Sequence, residues 1–332
     1  MRLLKSNIEK TSTVCNNCGS SQSAEVASGR DEDYDNTTDD VFTFVRCAQC
    51  SLLYLNPRPA DSELSTIYPD DYHSYSLTLD RASRKKGYAT QLRQWVYSFR
   101  LRKALNRIDL SRPVDLLDVG CGDGWMLDCY KSVNPEKIRT YGVEINEIAC
   151  QIIRQNGHKA FHGTFEQVDF GGQRFDFINM SQLIEHVADP TSFLKRVKGL
   201  LKPGGIIVIE TPNTKSVDGV LFRKGNWGGY HFPRHWVLYE PATLTVLANN
   251  CGLAVQSFFY HACPVHWHWS LGRVVRHTRG LRFFAPLVRP SIIFQGGLRA
   301  IFYLSTFTIV DLVIKFFGIP TSNMMAIMKV QE

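Results

Sequence analysis

Residues 114–124 constrain this chain more than any other stretch. Val114 to Val119 (VDLLDV) is a short apolar run, and it feeds directly into Asp118-Val-Gly120-Cys-Gly122-Asp-Gly124. A strand that breaks into a glycine-rich turn and then opens a helix lets backbone approach a nucleotide-like ligand without Cβ clashes. The dinucleotide fingerprint wants its third glycine at position 125, which is Trp125, so the G-x-G-x-G spacing argues against NAD or FAD. Glu144 sits at the end of a second predicted strand (TYGVEI, 140–145), 24 residues after Gly120. A carboxylate there can accept both hydroxyls of a ribose.

The alternation of strand and helix continues. FDFINM (175–180) predicts a strand. Asp189-Pro190 predicts a helix start, with Asp as cap and Pro in the first turn. Phe193, Leu194, Val197, Leu200 and Leu201 give that helix its buried face; Lys202-Pro-Gly-Gly205 is expected to stop it before strand IIVIE (206–210). Residues 241–250 predict another helix, followed by strand 254–260, and 324–330 (MMAIMKV) a last strand. Such alternation implies βαβ units and a doubly wound, mostly parallel α/β sheet.

The 332 residues suggest about two domains at about 150 residues each. The divisions expected are 1–60, a cysteine module; 61–112, a helical linker or cap; 113–260, the α/β core; 261–320, an apolar and basic helical insertion; and 321–332, the final strand. The linker rests on a stripe of Leu92, Trp95, Val96, Phe99, Ala104, Leu105 and Ile108.

Cysteine usage sets the compartment. Cys15-x-x-Cys18 and Cys47-x-x-Cys50 are separated by 28 residues, and five further cysteines are scattered. That is metal spacing plus core thiols in a reducing, cytoplasmic setting, and residues 1–10 carry no apolar block of a secretory leader. Four thiolates so spaced suit a closed, tetrahedral structural zinc without catalytic role, with the acidic stretch 31–40 (DEDYDNTTDD) at the tip of the intervening hairpin. A second set, His261, Cys263, His266 and His268, sits among aromatics and reads as packing.

Charge is uneven around a net +7. Residues 81–112 carry ten Lys/Arg against Asp109 alone, and residues 241–310 carry six Arg and no acid. The basic runs suit either a partly anionic partner or solvated helix faces. The apolar run 300–310 is eleven residues long between Arg299 and Asp311, short of the ~20 a bilayer requires. The insertion 261–320 therefore reads either as a cap on the core or as a segment in peripheral contact with a membrane surface.

Together, Asp118–Gly124, Glu144 and residues 175–213 resemble a class I S-adenosylmethionine-dependent methyltransferase. The two C-x-x-C pairs, Asn56-Pro-Arg-Pro59 and Tyr68-Pro-Asp-Asp-Tyr72 resemble the subset with an N-terminal zinc-binding module. The resemblance implies a Rossmann-like seven-stranded sheet with its last strand antiparallel. It implies that Asp118, Gly120, Gly122 and Gly124 line the methionine part of S-adenosyl-L-methionine and that Glu144 holds the ribose. Ile145 and Thr164-Phe165-Glu166 would flank the adenine, with Ser181 and Gln182 where cofactor and acceptor meet. For that subset it implies a sugar, surface-polysaccharide or lipid-linked acceptor; a quinone- or polyketide-type O-methyltransferase is the alternative.

Methyl transfer from a sulfonium is an in-line displacement, so alignment and water exclusion dominate. A hydroxyl acceptor also needs a base, and His is the natural one near neutral pH. His186, His231 and His235 follow predicted strands, where open α/β sheets bind ligands. His186 reads equally as a base or as a residue closing the cofactor pocket. Arg234 is expected to anchor a phosphate or carboxylate of the acceptor. A nucleic-acid-binding or scaffold role is the competing class; the acidic 31–40 loop would repel phosphate, and the intact glycine motif disfavours a pure scaffold.

Overall fold

The computed structural model describes residues 7–34, 36–69, 72, 97–98 and 101–331. The N-terminal part forms β1 (Lys10–Thr11), β2 (Ser23–Gly29), β3 (Phe42–Cys47), β4 (Leu53–Leu55) and β5 (Arg58–Pro59). Strands β2, β3 and β4 pair antiparallel, and β1 pairs β5.

The core strands are β6 (Val114–Val119), β7 (Ile138–Glu144), β8 (Lys159–His162), β9 (Phe175–Ser181) and β10 (Leu201–Pro212). A short β11 (Val237–Leu238) precedes β12 (Leu253–His261) and β13 (Asn323–Val330). The seven-stranded sheet runs β12-β13-β10-β9-β6-β7-β8. Its five strands from β10 to β8 are parallel, and β13 is antiparallel to both of its neighbours. The order reverses between β6 and β9, so the two chain halves wind outward from there and leave a crevice beyond their carboxyl ends.

Sequence explains the centre of this sheet. Every residue of β6 is buried, as is the run from Phe175 to Met180 of β9; strands covered on both faces carry no polar alternation. Helix α1 (Trp125–Val133) starts at Gly124, whose φ of 78° is left-handed and cheap only for glycine. Helix α2 (Glu147–Gln155) is capped by Asn146, which accepts from Ala149 N. Helix α3 (Pro190–Gly199) has the expected Asp189 cap, accepting from Ser192 N. The helix ends earlier than its apolar spacing predicts: Leu201 already belongs to β10, and Lys202 to Gly205 sit inside that strand across a register shift. Helix α4 (Pro241–Asn250) joins β11 to β12.

The cysteine module is not self-contained at residue 60. Strand β11 pairs with β4 and completes its sheet, and Leu55 N donates to Trp236 O. Phe42, Phe44, Leu53 and Tyr54 share one buried cluster with Phe232, Leu244 and Met180 of the core. In the stretch 61–112, the helical parts described are 64–67, 97–98 and 101–105; Leu92, Trp95, Val96 and Phe99 lie outside the described residues. Leu101, Ala104 and Leu105 are buried against Leu116, Leu127 and Phe177.

The insertion corrects the reading of 300–310. Helix α5 (Pro264–His277) leads to a helix much longer than its apolar run, α6 (Gly297–Phe316), of 20 residues. Asp311 does not end it, because the helix turns that carboxylate inward. Its oxygens accept from Cys263 N at 2.7 Å and Trp267 Nε1 at 2.9 Å, so a charge expected to break the apolar segment instead ties it to α5.

Candidate active site

Glu144 organises the carboxyl end of β7. Its Oε1 accepts from Ile145 N at 2.9 Å and Asn146 N at 3.0 Å, and its Oε2 from Gly122 N at 3.0 Å. Burial pushes its pKa up, and those three backbone donors pull against the shift. A carboxylate fixed through one set of lone pairs presents the remainder in a defined direction, as a diol partner requires. Gly120 N and Cys121 N both donate to Val143 O, so the glycine loop is stitched to the strand that carries Glu144.

A cavity of about 500 Å³ opens beside this loop. Gly120, Glu144, Ile145, Thr164, Phe165 and Glu166 line it, six of the eleven residues expected to hold the cofactor. The other five lie off its walls. Gly122 and Gly124 shape the loop through φ of 54° and 78°. Asp118 is buried, accepts from Asn179 Nδ2 at 2.7 Å, and is raised by that burial to about 7. Ser181 Oγ donates to Glu210 Oε2 at 3.4 Å, and Gln182 Nε2 to Asn323 Oδ1 at 3.0 Å. Much of the remaining lining is apolar: Leu64, Leu183, Val187, Ala188, Phe193 and Trp236 contribute, with Asp61 and His186 as polar groups among them. Sequence reading missed the apolar ones as cavity lining; those just after the β9 strand were the available signal. Gly142 was also missed. A Cβ there would lie 2.4 Å from Cys121 Sγ, so glycine lets the loop pack onto β7.

A second cavity, about 940 Å³, lies at the opposite end of the sheet among Lys195, Lys198, Lys202 and Lys329, away from this chemistry.

The three histidines converge, but not equally. His186 is half-buried and lines the 500 Å³ cavity. Its Nδ1 lies 3.0 Å from Arg234 O and 2.9 Å from Tyr68 Oη. A carbonyl only accepts, so Nδ1 carries the proton and Nε2 the basic lone pair. His235 follows the same logic, donating from Nδ1 to Gly229 O at 2.8 Å, with its ring 4.7 Å from that of His186. Burial, with the neighbouring histidines, holds His235 well below its usual range, so it is neutral. His231 sits deeper, at φ 40°, bonded to Asp33 Oδ2 at 3.0 Å and stacked on Trp269 at 5.5 Å. That left-handed backbone is sparsely populated for a non-glycine residue, and these two contacts hold it.

Arg234 departs from its expected role. It is 0% exposed and its Nη2 donates to Asp31 Oδ2 at 2.7 Å, beneath the ring of Tyr34 at 4.4 Å. The guanidinium expected to greet an acceptor is spent inside the fold, where it fixes the loop between His231 and His235. The acidic stretch is the cause. Asp31 takes Arg234, Glu32 takes Arg276 and His277 at 2.6 Å each, and Asp33 takes His231. The hairpin tip thus docks on the 231–235 loop and on α5 instead of standing in solvent.

The four module cysteines come together. Their Sγ atoms lie within 4.8 Å of one another, with Cys15 to Cys50 at 3.3 Å and Cys18 to Cys47 at 3.5 Å. His261, Cys263, His266 and His268 form no such cluster among the described residues; His268 donates to Arg289 O, and His266 is buried.

Comparison with known proteins agrees with this geometry. A family model described as a methyltransferase domain matches residues 88–257. A ubiquinone biosynthesis O-methyltransferase of Cereibacter sphaeroides (strain KD131 / KCTC 12085) is 29% identical over 177 residues, 49% of this chain and 72% of that protein. One from Ruegeria pomeroyi is 29% identical over 170 residues, 47% of this chain and 66% of that one. Among solved structures, the cyclopropane synthase MmaA2 from Mycobacterium tuberculosis matches at TM-score 0.43 and 15% identity, covering 69% of this chain and 83% of that one. With the switch-point crevice, the glycine loop and Glu144 in place, the chain belongs to the methyltransferase domain family and is an S-adenosylmethionine-dependent methyltransferase.

Proposed function

We propose that the chain transfers a methyl group to a hydroxyl oxygen of a quinone- or phenol-type small molecule. The observation that carries this reading is the set of relatives named ubiquinone biosynthesis O-methyltransferase, which align over about half of the chain. The apolar part of the cavity lining, with Phe193, Leu183 and Trp236, supports a flat, weakly polar acceptor over a free sugar. In this reading S-adenosyl-L-methionine lies between Glu144 and the Thr164–Glu166 loop. The sulfonium supplies an activated methyl group. His186 takes the acceptor proton on Nε2, Tyr68 and the Arg234 carbonyl hold its ring, and neutral His235 packs behind it. His231 and Arg234 position this loop.

The reading includes a structural zinc on Cys15, Cys18, Cys47 and Cys50. Zn–S bonds of about 2.3 Å separate tetrahedral sulfurs by about 3.8 Å, compatible with the spread of these four Sγ atoms. A sugar or lipid-linked saccharide is the second reading; it rests on the resemblance of the cysteine module to that of the subset with an N-terminal zinc-binding module, and the four clustered Sγ atoms are consistent with such a module.

The test is transfer from S-adenosylmethionine with a labelled methyl group to a catechol acceptor and to a sugar-nucleotide fraction. Label on the phenolic oxygen, reduced about 100-fold or more in His186→Ala, is expected. Label confined to the sugar fraction overturns the quinone reading, and full turnover in His186→Ala removes the base.

A further inference from the structure

We infer that the face formed by α6 and the turn before it docks on an anionic lipid bilayer. This surface is separate from the active site and independent of which acceptor is methylated. Helix α6 is long and apolar, with a mean hydropathy of 1.6 over its most apolar window and only 11% of that window buried. It is held on one side alone. Phe307 stacks on Trp267 and Tyr303 meets His268, both of α5, and Asp311 is bonded to α5 and its N-cap. Among the described residues nothing packs on the opposite side: Leu298 is 86% exposed and Phe316 85%, with Ile301, Phe302, Ile309 and Leu312 between. The preceding turn, residues 282–288, adds Phe283 at 87% and Leu287, and Tyr303 Oη donates to Leu287 O, so the two elements lie side by side.

An apolar surface of this extent is uncommon on a monomer in water and marks an interaction face. Charge selects the occupant. Arg279, Arg282 and Arg289 flank the turn, Arg299 and Lys315 stand near the two ends of α6, and residues 241–310 contain no acid. Aromatic and aliphatic groups bordered by arginines match the boundary of a membrane with anionic headgroups. A partner copy would place these same arginines against one another, and the one acid of α6, Asp311, is buried against α5 and cannot offset them. The helix lies along the surface and does not cross it, because crossing would strip α5 from Asp311 and leave that carboxylate, the Cys263 N–H and the Trp267 indole unpaired in hydrocarbon.

The experiment is co-sedimentation of the full chain with vesicles of phosphatidylcholine alone and of phosphatidylcholine mixed with phosphatidylglycerol. Binding to the mixed vesicles is expected, weakened by salt and at least about tenfold tighter than to the neutral ones. Phe302→Glu combined with Phe316→Glu is expected to abolish it while S-adenosylmethionine affinity stays unchanged; both side chains face outward, so retained cofactor binding certifies the fold. Equal binding to both vesicles, no binding to either, or undiminished binding by the double variant overturns the proposal. So does a dimer in sedimentation velocity that the same double variant dissolves.

Discussion

The two halves of the active site are built differently. On the cofactor side, the decisive contacts are near in sequence: Gly122 N reaches Glu144 across 22 residues, and Ile145 and Asn146 are its immediate neighbours. On the side proposed for the acceptor, Asp31 reaches Arg234 across 203 residues and Asp33 reaches His231 across 198. One half is a local βαβ device. The other is assembled only when the cysteine module docks on the core. The cofactor half should therefore tolerate damage to the hairpin tip, whereas the acceptor half should not.

The largest effect is expected where that docking is broken. Asp31→Ala leaves the fully buried Arg234 guanidinium without its carboxylate, a change that costs about 3–5 kcal/mol. Thermal or urea denaturation measures it; a loss below about 1 kcal/mol would mean that the hairpin tip does not anchor the 231–235 loop. Next comes Glu144→Ala. If Glu144 holds the ribose as proposed, its loss should weaken S-adenosylmethionine binding by about 100-fold, roughly 3 kcal/mol, read by calorimetry. Unchanged affinity would displace the cofactor from this crevice.

Gly142→Ala follows. Its Cβ would meet Cys121 Sγ at 2.4 Å, and overpacking of this kind costs about 1–3 kcal/mol. Pairing it with Cys121→Ala should recover part of the loss; no recovery would show that the contact is not the cause.

The last expectation is a pH signature. Burial raises Glu185 from its usual 4.5 to about 8, and its Oε1 has no partner among the described residues. Between those values the native chain holds a proton that the unfolded chain has released, so stability falls as pH rises from about 4.5 to about 8. Glu185→Gln carries no such proton and should gain on the parent protein across that window, then level off above about 8. His235 works at the other edge. The unfolded ring gains a proton below about 6.5 that the buried native ring refuses, so stability also falls as pH drops below that value. A stability difference between Glu185→Gln and the parent that stays flat with pH would place the native Glu185 carboxyl in its ordinary range.

The contrast between the halves also explains what could be read in advance. The strand, the glycine loop and Glu144 at the end of the next strand were legible because periodicity and turn chemistry are local, and the capped start of α3 at Asp189-Pro190 was legible for the same reason. Thr164–Glu166 came into view through family resemblance alone, and the structure places them on the cavity wall. The antiparallel last pair followed from family resemblance. Arg234 was misread because nothing near it in sequence announces Asp31; an arginine among histidines looks free until the fold supplies its carboxylate. The true length of α6 was hidden by Asp311, a charge that the helix satisfies against α5 instead of exposing. Of the apolar wall, Phe193 was read only as part of a helix's buried face, and Leu183 and Val187 drew no reading because nothing local marks a residue that faces a cavity.

Calorimetric titration of S-adenosylmethionine into Asp31→Ala, combined with turnover on the same sample, tests the separation of the two halves most directly. The variant, held well below its melting temperature, is expected to bind the cofactor as the parent does while methyl transfer falls by about 100-fold or more. Loss of cofactor affinity in step with turnover would contradict that separation, because the hairpin tip would then be part of the cofactor site and the two halves would be one.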